Sequence, residues 1–128
     1  MQSWHFYAVT DPEKKAQFKQ VCSEWATTAP VIFVVCTDGE AIVSRFGERA
    51  KNLFILQDTA AALENLLLKA VDMGLGGCWM GAFNEDECRK ILDIPDKYNI
   101  VAIVPVGEPA FMPPKRDRKP LADVLTVV

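Results

Sequence analysis

Few residues in this chain could carry out chemistry directly. His5 is the one histidine, so at most one imidazole could act as acid or base. In the aromatic, β-prone stretch around it, a strand-edge packing role is expected. The cysteines Cys22, Cys36, Cys78 and Cys88 contain no C-x-x-C pair. That spacing argues against zinc or iron–sulfur ligation and for free, buried thiols. No nucleophile–base pair stands out. Two other chemistries remain open. Arg116, Arg118 and Lys119 could hold a phosphate through charge-assisted hydrogen bonds, or form a solvated basic tail. Gly74-x-Gly76-Gly77 could let backbone approach a flat ligand, or simply cap a helix and turn. It follows a helix instead of a strand, so the dinucleotide-binding fingerprint fails on context.

The elements that would position these residues centre on Gln57 to Phe83. Asp58 or Thr59 is expected to cap a helix over 58–73, and Gly74 to end it. Apolar residues cover more than one face of that helix, so burial on most sides is expected. Glu64 and Asn65 interrupt the apolar pattern; they face a wetter side or brace a site or subunit contact. Cys78 to Met80 reads as a short buried strand. Asn84 with Glu87 three residues on resembles a capping box for a helix over 86–92.

Elsewhere, His5 to Val9 reads as a strand. Asp11-Pro12 starts a helix running to about Trp25, with Ala16, Phe18 or Val21, and Trp25 inward. The continuous apolar runs Val31 to Cys36 and Ile100 to Val106 read as strands buried on both faces. The segment from Glu40 to Leu56 suits a short helix or irregular loop. Residues 109–128 form an extended arm, proline-rich to Pro120, with a last short strand or loose end beyond it. Alternating strands and helices predict an α/β or α+β class with one mixed sheet, in a single domain without internal repeats.

Composition narrows the partners. Half of the 128 residues are hydrophobic and the net charge is −3. That supports a packed core and argues against nucleic acid as the main partner. No apolar run reaches the roughly 20 residues of a membrane helix. The first residues lack the pattern of a signal peptide, so a cytoplasmic location is expected.

Taken in order, the motifs resemble those of the FMN-dependent nitroreductase family. Gln2-Ser3-Trp4-His5-Phe6 is similar to a Q-P-W-x-F strand, with serine where proline is usual. Ala29-Pro30 followed by Val31 to Cys36 is similar to the A-P-V strand. Asp58, Ala60, Ala62, Glu64, Asn65 and Leu66 match a D-x-A-x-A-x-E-N-L helix. Gly74-Leu75-Gly76 with Trp79 and Gly81 matches a G-L-G-x-x-W-x-G turn. Ile94-Pro95, Val104-Pro105-Val106-Gly107 and Arg118-Lys119-Pro120-Leu121 follow in register.

The resemblance implies a mixed sheet flanked by helices, built as a homodimer, with FMN at the interface. It places the backbone of Trp79, Met80, Gly81 and Ala82 against the flavin ring near N5. Gln2 would sit near the polar edge of the ring, and Arg118 with Arg116 at the phosphate. It further implies two half-reactions: hydride transfer from NAD(P)H, then reduction of a nitroaromatic, quinone or similar small acceptor. The family's usual N-terminal helices, with an S-x-R-x-[FY]-like motif and an asparagine before the glutamine, have no counterpart in residues 1–128. Weaker FMN binding is therefore expected, and a non-catalytic dimeric scaffold or flavin-binding remnant is the alternative.

Overall fold

A computed structural model of the chain describes residues 2–128. A four-stranded sheet lies between two helical layers. Strands β1 (Trp4–Val9), β2 (Val31–Thr37), β3 (Gly76–Gly77) and β4 (Asn99–Gly107) are ordered β1-β2-β4-β3. All three pairings are antiparallel. The class is as expected, but the parallel pairing of a mixed sheet does not occur among the described residues. Run direction is set by long connections packed across the faces, which no local pattern records.

The apolar runs of β2 and β4 reflect burial on both faces. In β2, Ile32, Val34 and Cys36 enter one core cluster, while Val31, Phe33 and Val35 face another. The first cluster lies under the 3₁₀ turn at Phe18–Gln20, which follows α1 (Pro12–Gln17), and α4 (Glu85–Leu92), the second under α3 (Ile55–Asp72). In β4, Ile100 and Ile103 share the first cluster although they are three residues apart. The register shift at Val35/Cys36 permits this, because the extra residue of a bulge reverses the alternation.

Three expectations about helices are corrected. First, α1 ends at Gln17 and gives way to 3₁₀ turns at Phe18–Gln20 and Glu24–Thr28. Thr27 and Thr28 donate to the carbonyls of Glu24 and Trp25, competing with a regular ladder. Phe18 and Val21 still point inward, whereas Ala16 is exposed and Trp25 is 54% exposed. Second, neither Asp58 nor Thr59 caps a helix. α3 begins at Ile55, continuous with a π-helical segment at Ala50–Phe54 that follows α2 (Glu40–Phe46). Asp58 instead accepts from the buried Ser3 hydroxyl at 3.1 Å, and Thr59 donates to the Ile55 carbonyl at 2.7 Å. Third, α3 is buried on one side only. Leu63 and Ala70 are buried against the sheet, while Leu56, Leu68, Val71 and Met73 are exposed. Glu64 and Asn65 are exposed as well, Asn65 at the hollow that α3 forms with β1.

Both ends that local chemistry predicted are present. α3 stops at Gly74, whose φ is 76°, with the Leu75 N–H donating to the Ala70 carbonyl at 2.8 Å. That six-to-one bond is the closure of a Schellman motif. At α4, the Asn84 side chain accepts from the Glu87 N–H at 3.1 Å. Residues 109–120 have no regular secondary structure, and only the 3₁₀ turn Leu121–Asp123 follows. Every residue from 108 to 128 is exposed.

Candidate functional site

The glycine turn is built as a ledge on the β3 edge of the sheet. Beyond β3, the Cys78 N–H donates to the Pro105 carbonyl at 3.3 Å, and Met80 exchanges two bonds of 3.0 Å with Ile103. The expected Cys78–Met80 strand is thus a broken edge strand, anchored at Met80. Past that anchor the chain lifts away. A Cβ placed on Gly81 would meet nothing within 4 Å, and among the described residues the Gly81 and Ala82 N–H groups donate to no backbone carbonyl. Trp79 is 44% exposed beside them. The ledge therefore offers an indole face, an approachable backbone and two free donors, which suits a flat heteroaromatic ring with polar edge atoms.

The other predicted residues lie elsewhere. Gln2 precedes β1, at the opposite edge of the sheet from the ledge. It lines a cavity of about 530 Å³ with Trp4, His5, Asp38, Glu40, Ser44 and Tyr98. A second, more apolar hollow of about 380 Å³ runs between β1 and α3, lined by Trp4, Phe6, Phe33, Ala62, Asn65 and Leu66. Neither hollow contains any of the other six predicted residues. Arg116 and Arg118 are exposed on the arm, where Arg118 Nη1 donates to the Arg116 and Asp117 carbonyls at 3.1 and 3.3 Å. Neither guanidinium has a carboxylate partner among the described residues. The single chain thus presents the predicted residues in three places.

The cavity at Gln2 holds side chains that sequence reasoning did not single out, apart from His5. His5 stacks on Tyr98 with ring centroids 4.8 Å apart, and Lys97 lies 4.7 Å above the Tyr98 ring. Lys97 also pairs with Asp38 at 3.1 Å; this hydrogen bond, then that to Tyr98, raises its pKa above the ordinary lysine value. Arg89 clamps the loop that carries Tyr98, donating to the Ile94, Pro95 and Tyr98 carbonyls. The available signal was strand register: Trp4 pairs with Thr37, and Thr37 with Asn99. That alignment brings the residues just before β1, just after β2 and just before β4 together.

The cysteines divide by environment. Cys36 and Cys88 are buried as expected, and burial pushes both thiols up to about 12. Cys22 is partly buried, and Cys78 is exposed on the approach to the ledge, a correction to the expectation of four buried thiols. An aromatic disulfide reagent at about pH 8 should label Cys78 quickly, and Cys36 and Cys88 only after unfolding. Because the folded state holds those two protons to higher pH, the stability they contribute is complete below about pH 9. It is lost as pH rises toward about 12. Labelling of all four thiols at one rate in the native protein would contradict this environment.

The chain is thus an α/β domain with an open ledge at Trp79–Ala82 and an exposed cationic arm. Comparison with known proteins places it more narrowly. The nitroreductase family model matches residues 17–108, and the chain belongs to that family. Proteins from Methanothermobacter thermautotrophicus and Archaeoglobus fulgidus are 30% and 31% identical over 120 and 114 residues. Both names include NADH dehydrogenase/NAD(P)H nitroreductase. These matches cover 89% and 84% of this chain but 59% and 62% of the relatives. The chain therefore spans about three-fifths of the length of these curated relatives. Among solved structures, nitroreductase A from Vibrio parahaemolyticus superposes with a TM-score of 0.82 at 26% identity, covering 98% of this chain and 58% of that one.

Proposed function

We propose that this chain is part of an FMN-dependent NAD(P)H oxidoreductase of the nitroreductase type. The observation that carries the reading is the ledge, where Trp79 and the bare backbone at Gly81 stand open to a flat ring. The names of relatives support it: one from Bacillus subtilis, 29% identical over 135 residues, is an FMN reductase (NADPH). When bound, FMN would supply hydride chemistry at N5 between NAD(P)H and a nitroaromatic, quinone or similar small acceptor. The residues of the chain bind and orient it. Trp79 covers one side of the ring and excludes water. The N–H groups of Gly81 and Ala82 donate to its polar atoms, and Gly81 leaves room because it has no side chain. With FMN held at the interface of a homodimer, Arg116 and Arg118 would neutralise the phosphate. The Gln2 amide of one protomer would serve the polar edge of a ring lying on the ledge of the other, since the two lie at opposite edges of one sheet. The chain needs no acid–base pair of its own, which accords with its single histidine.

The working form is a homodimer in the cytoplasm. The exposed apolar residues Leu56, Leu68 and Val71 of α3, Met73 just past its end, and Phe111 and Met112 of the arm favour it. Surfaces of this kind are buried in symmetric assemblies. Among the described residues no helix is long and apolar enough to cross a membrane.

An absorbance spectrum of the purified protein, before and after added FMN, tests the function. A bound-flavin spectrum that bleaches on addition of NAD(P)H is expected. No flavin binding at excess FMN would favour a non-catalytic scaffold instead.

A further inference from the structure

The corner between α2 and α3 carries a charged, aromatic patch that the reading above does not use. Arg45 lies over the Phe46 ring at 5.2 Å, and Arg49 over the Phe54 ring at 5.5 Å. The two rings meet edge to face at 6.1 Å, so the guanidiniums and rings form one continuous ladder. In a chain of net charge −3, neither arginine has a carboxylate within ion-pair distance among the described residues, and the nearby Lys51 has none either. Glu48 lies between the arginines in sequence and pairs with neither. Phe46 is 49% exposed.

The corner is held in place. Ile42, Ala50 and Ile55 are buried beneath it, with Phe54 packed on them. Gly47, at φ 66°, turns the chain, and the π-helical turn Ala50–Phe54 leads directly into α3. Such π-helical turns occur mostly as single-turn features and often at functional sites. Rings under the guanidiniums restrict their motion, so less freedom is lost when they grip an anion.

We propose that this corner binds the phosphate-bearing end of a phosphorylated adenine nucleotide. Arg45 and Arg49 take the phosphate, and the open side of Phe46 takes the base. The choice of nucleotide end rests on the oxidoreductase reading, in which the reductant is a nicotinamide dinucleotide. Under that reading the corner selects the 2′-phosphorylated form, NADPH, over NADH. Charge complementarity favours it: two guanidiniums and Lys51 offer more positive charge than a ligand without the extra phosphate would use.

Calorimetric titration of the full chain with adenosine 2′,5′-bisphosphate tests the site without reference to flavin. Binding is expected to weaken about tenfold in R45Q or R49Q and about 100-fold in the double variant. Adenosine 5′-monophosphate should bind more weakly than the bisphosphate, and inorganic phosphate more weakly still. All of these residues except Phe54 are exposed, so the arginine variants should fold, which their circular dichroism will confirm. Equal affinity of wild type and double variant would overturn the site. Equal affinity for bisphosphate and inorganic phosphate would overturn the nucleotide assignment. Flavin bleaching by NADH and by NADPH separates this inference from the reading beneath it. Loss of preference for NADPH in the double variant, with NADH unchanged, supports the corner. Bleaching by both at wild-type rates in the double variant overturns the corner and leaves the oxidoreductase standing.

Discussion

Replacing Arg118 with alanine is expected to weaken FMN binding by about 10- to 100-fold. The guanidinium lies on an exposed arm and is held only by two carbonyls of its own segment, those of Arg116 and Asp117. Both bonds come from Nη1, so the remaining N–H groups are free to face a phosphate in a forked arrangement. A charge-assisted hydrogen bond contributes about 1.5–3 kcal/mol, which converts to that loss of affinity. Stability should hardly change, because the side chain touches nothing beyond its own arm. Arg118→Lys should lose less than alanine, since it keeps the charge but not the fork. Quenching of FMN fluorescence on titration with each variant measures the effect. Affinity unchanged in Arg118→Ala would remove this residue from the phosphate site, and the same titration on Arg116→Ala would show whether its neighbour acts instead.

Phe18→Ala should cause the largest loss of stability among single core changes. Phe18 is fully buried and is the largest of the fully buried side chains. It belongs to the cluster of Val34, Cys88 and Ile103 that joins the sheet to α4 and to the 3₁₀ turn at Phe18–Gln20. Truncating a buried phenyl to a methyl costs about 3–5 kcal/mol, through lost transfer energy and the cavity left behind. Against a typical domain stability of about 5–15 kcal/mol, that should move the urea midpoint sharply downward. Trp25→Ala is the useful contrast. Helical periodicity places Trp25 on the inward face with Phe18, yet the structure leaves it 54% exposed. Its loss should cost far less. Comparable midpoints for the two variants would mean that the chain does not break at Phe18–Gln20 as described.

Much of this protein is determined locally and is therefore legible in the sequence. β2 and β4 announce themselves through unbroken apolar runs rich in β-branched residues, Val31 to Cys36 and Ile100 to Val106, because a strand covered on both faces has no polar side. Gly74 stops α3 because the left-handed region costs glycine nothing, and Asn84 starts α4 because its side chain can satisfy a free N–H. The residues at Cys78–Met80 read locally as a short buried strand, and only the family resemblance singled out the backbone of Trp79–Ala82; the 44% exposure of Trp79 is an outcome of the tertiary structure. Tertiary structure decided the rest. The start of α3 moved three residues upstream because the π-helical segment before it supplies the missing bonds, which makes a cap at Asp58 unnecessary. α1 ends at Gln17 and the chain reaches Pro30 through 3₁₀ turns that bury Phe18 and Ala26. The cavity around Gln2 depends on which strand ends meet. Pairing register and packing are long-range outcomes, settled by contacts between residues tens of positions apart, and no short window of sequence contains them.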